Sequence, residues 1–151
     1  MGASAWEYAV PYEPDLAHAL EQLRLKVFSD GDFESPESSG LPAPGSLEEL
    51  MTEPYWEFLG TCGTHSILDI AGGIAPADDV DREFGTIRPL SSEETAELFG
   101  SAHPTRADFS RVSESRELYE YCGGGPYTGR AAIVHDAGQP AEIVFWGQSG
   151  D

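Results

Sequence analysis

Residues 130–146 read RAAIVHDAGQPAEIVFW, two β-prone apolar runs on either side of Asp136-Ala137-Gly138-Gln139. Asp and Gly suit a tight turn, so the segment predicts a closing β-hairpin, with Ile133, Ile143 and Phe145 buried. A hairpin pairs its strands antiparallel without a crossover helix, which disfavours alternating βαβ units and a Rossmann-like sheet. Working outward, Thr105 with Asp108 and Ser91 with Glu94 each place a hydroxyl three residues before a carboxylate, the start signal of a helix. The first of these helices carries Phe109 and Val112, and the second runs through Leu98 and Phe99 to Gly100.

Further upstream, Ser66-Ile67-Leu68-Asp69-Ile70-Ala71 and Phe84-Gly85-Thr86-Ile87-Arg88-Pro89-Leu90 read as two short strands that could pair, separated by Asp78-Asp79-Val80-Asp81. Ser46-Leu47-Glu48-Glu49 is a third capping box, and Pro54 should break or restart its helix before the aromatic stretch Tyr55, Trp56 and Phe58. Residues 35–45, SPESSGLPAPG, can bury almost nothing and are expected to form a flexible loop. The opening run alternates Trp6, Tyr8, Val10 and Tyr12 with smaller or polar residues, an edge strand by virtue of Pro11. After it, Leu16, Ala19, Leu20, Leu23 and Val27 fall on one helical face, with Pro14 expected at the first helical position and Gly31 as the stop. With 151 residues the expectation is one α+β domain spanning 1–151, a mostly antiparallel sheet of about five strands with three to four helices.

Charge narrows the function classes. Eight Lys and Arg stand against 27 Asp and Glu, a net charge of −19, so neither nucleic acid nor an anionic membrane is an expected partner. No window holds the ~20 apolar residues of a membrane span, and no secretory leader can be placed in the first thirty residues, so a cytoplasmic location is expected. Between Val27 and Asp81 there is no Lys or Arg, yet twelve Asp and Glu. Within that stretch Asp30, Asp32 and Glu34, and then Asp78, Asp79 and Asp81, make two dense groups suited to a basic protein partner. The plainer interpretation of the same carboxylates is a solubilising surface.

Motifs for chemistry are sparse. Asp30-Gly31-Asp32-Phe33-Glu34 departs from a calcium loop, which needs Gly sixth and Glu twelfth where this chain has Ser35 and Leu41. Cys62 and His65, with Cys122 and His135 as distant partners, lack the second tight pair of a structural zinc site, and two reduced thiols are the expected state. The same Cys62 and His65 could also be a thiol nucleophile and base with Asp69 or Asp136 as orienter, but residues so close in sequence carry no catalytic signature. Gly123-Gly124-Gly125-Pro126 is followed by no Gly-Lys-Ser/Thr of a phosphate loop. No nucleophile elbow or zinc-protease helix occurs, so no catalytic residue, metal or cofactor is expected. Tyr119, Tyr121 and Tyr127, close to the glycines and the final hairpin, are the candidate lining of a ligand pocket.

Val10-Pro11-Tyr12-Glu13-Pro14-Asp15-Leu16, Gly63-Thr64-His65-Ser66-Ile67-Leu68-Asp69-Ile70, His103-Pro104-Thr105-Arg106 and Glu142-Ile143-Val144-Phe145-Trp146-Gly147, with the Phe84-Gly85 and Leu98-Phe99-Gly100 pieces, resemble small acidic hypothetical proteins of actinomycetes. The resemblance spans most of the chain and implies a single cytoplasmic domain, without an activity or a site. The residues themselves favour a non-enzymatic acidic interaction protein of immunity, antitoxin or inhibitor type. The competing expectation is a small ligand-binding domain or enzyme with its pocket near Tyr119 to Tyr127 and the final hairpin.

Overall fold

A computed structural model describes residues 4–122 and 125–150. The strands are β1 (Ala5–Pro11), β2 (Ile87–Pro89), β3 (Thr128–Asp136) and β4 (Gln139–Gln148). The α-helices are α1 (Leu16–Asp30), α2 (Leu47–Leu50), α3 (Trp56–Thr61), α4 (Ser92–Phe99) and α5 (Arg106–Ser115). The strands form one sheet in the order β1-β4-β3-β2.

The expected hairpin is its centre. Asp136 pairs with Gln139, and Ala137 (φ 50°) with Gly138 (φ 77°) closes the turn with two positive φ angles, the geometry that matches strand twist. β1 pairs antiparallel with β4, as an edge strand. The α+β class holds, but the sheet has four strands among the described residues rather than about five, and it is mixed: β2 runs parallel to β3, with Ile87 opposite Gly129. Five α-helices replace the expected three to four because α2 and α3 are separate short pieces either side of Pro54.

Residues 66–71 are not a strand. Ile67–Asp69 is a 3-10 turn started by Ser66, whose Oγ accepts from the Leu68 amide at 3.1 Å. Ile67, Leu68 and Ile70 are buried, but the expected strand does not form, since a capping hydroxyl satisfies the backbone locally instead of a ladder. The strand at 84–90 shrinks to β2, and its second edge is covered by residues 72–75, through Gly72 N to Gly85 O (2.7 Å) and Ala75 N to Ile87 O (2.8 Å). Residues 35–45 contain a 3-10 turn at Pro36–Ser39, with Pro36 buried and Leu41 packed on the core.

α1 begins two residues later than Pro14 suggested: Asp15 is the N-cap, accepting from the His18 amide at 3.1 Å, and Gly31 (φ 68°) ends the helix. At Ser46 only half of the capping box forms, because Glu49 accepts from the Gly45 amide instead of that of Ser46. Ser91 with Glu94 and Thr105 with Asp108 form complete boxes.

Both faces of the sheet are covered. Trp6, Ala131, Ile133, Ile143 and Phe145 pack against α1 and the 47–70 segment, while Ala132, Val134, Val144 and Trp146 pack against α4 and α5. This explains why β3 and β4 are continuously apolar instead of alternating. One row crosses all four strands, Trp6 to Gly147 to Gly129 to Ile87. A Cβ on Gly147 would lie 2.3 Å from Trp6 Cζ2, and one on Gly129 would lie 2.5 Å from Ile87 Cδ1. The glycines therefore form a bay that the indole and the isoleucine fill.

Candidate docking surface

The acidic loop before β2 is held in place by a buried cation. Arg88 donates from Nη1 to Ala77 O at 2.9 Å and from Nη2 to Glu83 Oε1 at 2.9 Å, so one buried guanidinium grips both sides of the loop. Thr86 Oγ1 donates to Arg82 O and to Glu83 O, and Gly85 (φ 72°) donates its amide to Tyr127 O at 2.6 Å. A 3-10 turn at Val80–Arg82 lies between these anchors. What the loop presents is Asp78 and Asp81, exposed, Asp79, half-buried, Val80, 61% exposed, and Phe84, 76% exposed.

Phe84 does not stand alone. Its ring lies 5.5 Å from that of Tyr127, whose hydroxyl donates to Leu59 O in α3 at 2.6 Å. One turn earlier on α3 is Trp56, 60% exposed, with its Nε1 donating to Met51 O at 3.0 Å. Phe84 thus connects through Tyr127 to α3, the helix that carries Trp56, and Glu57 on α3 and Asp78 and Asp81 on the loop are exposed carboxylates.

The second acidic group lies elsewhere in the chain's course. Asp30 ends α1 and pairs with Lys26, Asp32 follows the Gly31 cap, and Glu34 donates its amide to Thr64 O at 2.8 Å. All three are exposed, and they share no hydrogen bond or ring contact with the 78–84 loop.

The three candidate tyrosines have three different settings. Tyr119 donates to Glu7 Oε1 at 3.1 Å, and burial followed by the Glu7 charge pushes its phenol well above the ordinary range. It lines a hollow of about 580 Å³ with Ala5, Ser113, Arg116 and Gln148. Burial and then Glu97 raise the Tyr121 phenol, and Tyr127 belongs to the Phe84 surface. Gly123 and Gly124 lie outside the described residues.

A cleft of about 440 Å³ sits instead between the start of α1, the start of α4 and the inner strands, with His103 and His135 in its wall. His103 Nδ1 and His135 Nε2 are 3.3 Å apart, their rings crossing at 73°. Thirty-two residues separate the two in sequence. They meet because Thr105 bridges to His135 in parallel and the His135 amide donates to Pro104 O at 2.8 Å. No pattern in the sequence announces that meeting.

Between β2, β3 and α4 lies a buried ionic knot. Arg130 donates Nε to Arg88 O (2.7 Å), Nη1 to Tyr121 O (2.7 Å) and Nη2 to both Glu94 oxygens (2.9 and 2.8 Å). Burial alone would raise the Glu94 carboxyl, but Arg130, the Ser91 amide and Arg88 together hold it below the ordinary range. Asp69 is the opposite case: burial raises it despite bonds from Ser149 and Thr64.

Cys62 and Cys122 are both free thiols, and Cys122 is buried with its thiol pushed up to about 12. His65 Nδ1 lies 3.4 Å from Ser4 Oγ rather than at either cysteine. Among the described residues no group of three or more His, Cys, Asp and Glu could hold a metal ion, and no helix is long and apolar enough to cross a membrane. Compared with family models, characterised proteins and solved structures, the chain matches none.

Proposed function

We propose that the chain is a non-enzymatic acidic interaction protein, of immunity, antitoxin or inhibitor type, acting in the cytoplasm on a basic protein partner. The carrying observation is that Phe84 and Val80 are exposed on an acidic loop anchored by buried Arg88. An exposed aromatic ringed by charge has the composition of an interface anchor with its polar rim, and fixing the loop beforehand lowers the ordering cost of binding. Asp78, Asp79 and Asp81 are the docking charges, with Phe84 and Trp56 as apolar anchors. Asp30, Asp32 and Glu34 contribute to the long-range field that steers a cation-rich partner.

The test is capture of basic proteins at low salt on immobilised wild-type chain and on the D78N/D79N/D81N variant, with elution by increasing salt. A basic protein retained by the wild type, released by salt and lost from the variant is the expected result. Retention indifferent to both salt and the triple substitution, or no basic protein retained, overturns the proposal.

A further inference from the structure

The cleft beside the His103–His135 pair has the size of a small-molecule site, and its walls are mixed in a particular way. Leu16, Leu90, Ile133 and the prolines make the apolar part. Its polar groups are Glu13, the two imidazoles and the side chains of Ser92 and Thr95, with no Lys or Arg among the lining residues. The N-terminus of α4 opens here too, where the Glu94 carboxylate accepts from the Ser91 amide at 3.1 Å. An anionic ligand would meet the Glu13 carboxylate, a wall without Lys or Arg and a chain of net charge −19.

A cationic ligand meets the reverse. Glu13, whose Oε1 lies 2.6 Å from His18 Nδ1, can trade that exposed contact for an ammonium group. Tyr12 lines the same cleft and is 39% exposed, an aromatic residue of the kind that takes a cation. His135 keeps one buried ring nitrogen, Nδ1, with no hydrogen-bond partner, although its other nitrogen is engaged by His103.

From these observations we infer that the cleft bounded by Tyr12, Glu13, His103 and His135 binds a small primary amine carrying an apolar body. This site is separate from the acidic loop, so it stands or falls independently of the docking proposal.

The experiment follows the His103 and His135 ring resonances by NMR while the full chain is titrated with 2-phenylethylamine or with 3-phenylpropanoate, in ~0.15 M salt to screen diffuse attraction. The amine should give saturable shifts of both imidazoles, and the carboxylate of similar shape should give none. E13Q should weaken the amine roughly tenfold, the worth of one charge-assisted hydrogen bond, whereas D78N/D79N/D81N should leave its affinity unchanged. Y12L, which keeps the carboxylate and removes the ring, should weaken it as well. Equal binding of the carboxylate, no shift with millimolar amine, or equal weakening by E13Q and by the loop variant would overturn the inference.

Discussion

Replacing Arg130 by Met should destabilise the domain by about 3 kcal/mol, the low end of the range for removing one partner of a buried ion pair. Arg130 is 2% exposed, and its loss strands the Arg88 and Tyr121 carbonyls as well as Glu94. The low end applies because the Glu94 side chain is 26% exposed and still has Arg88 Nη1 at 3.7 Å and the Ser91 amide. For a domain of this length such a loss lowers Tm by roughly 6–12 °C. Urea unfolding followed by Trp fluorescence measures it as a shift of the midpoint at unchanged slope. The R130M/E94Q pair should lose less than the sum of the two single changes, since each single change alone orphans the other group. The same knot has a pH signature. Because the folded Glu94 carboxyl lies below its unfolded value of about 4.3, its stabilisation is complete above that value and is lost as pH falls through the folded one. E94Q should therefore flatten the acid side of the stability profile. An R130M midpoint within about 0.5 kcal/mol of wild type would refute the assignment of the knot as structural.

Three further outcomes follow from the geometry. Ending the chain after Gly129 should abolish cooperative thermal unfolding, and F145A alone should cost about 3–5 kcal/mol in urea, because β4 is the strand that joins β1 to β3. G147A should cost about 1–3 kcal/mol, since the added methyl meets the Trp6 ring and the Thr128 carbonyl oxygen at 2.4 Å, and W6L should recover part of that loss. A thiol reagent at pH 8 should modify Cys62 and leave Cys122 untouched until the chain is unfolded in denaturant, as Cys122 is buried and its thiol is pushed up to about 12.

The hairpin and the helix starts at Ser91 and Thr105 were legible because each rests on contacts within a few residues, a turn or a reciprocal cap, whereas β1 was legible from its period-two pattern and Pro11 although its partner β4 lies at the other end of the chain. The parallel β2–β3 pair was not, because it joins Ile87 to Gly129 across two helices and no local pattern records that partner. Ile67, Leu68 and Ile70 show the same limit: apolar character gave their burial, while Ser66 decided their backbone. The acidic groups were plain from composition. That Arg88 grips the 78–84 loop, or that Phe84 stands out of it, depends on which way side chains turn in and just before a three-residue strand. The His103–His135 cleft was illegible for the reason that hid β2, a long-range bridge between short segments.

The docking claim is tested most directly by the association and dissociation rates of the captured basic partner, purified and measured against wild type, D78N/D79N/D81N and F84A. Rim charges act on encounter, so the triple variant should lower kon and flatten its salt dependence while leaving koff nearly unchanged. An apolar anchor acts after encounter, so F84A should raise koff by about thirtyfold or more, the mark of a residue worth at least ~2 kcal/mol, with kon unaltered. Rates that ignore both substitutions would contradict the account and leave the 78–84 loop as solvated surface.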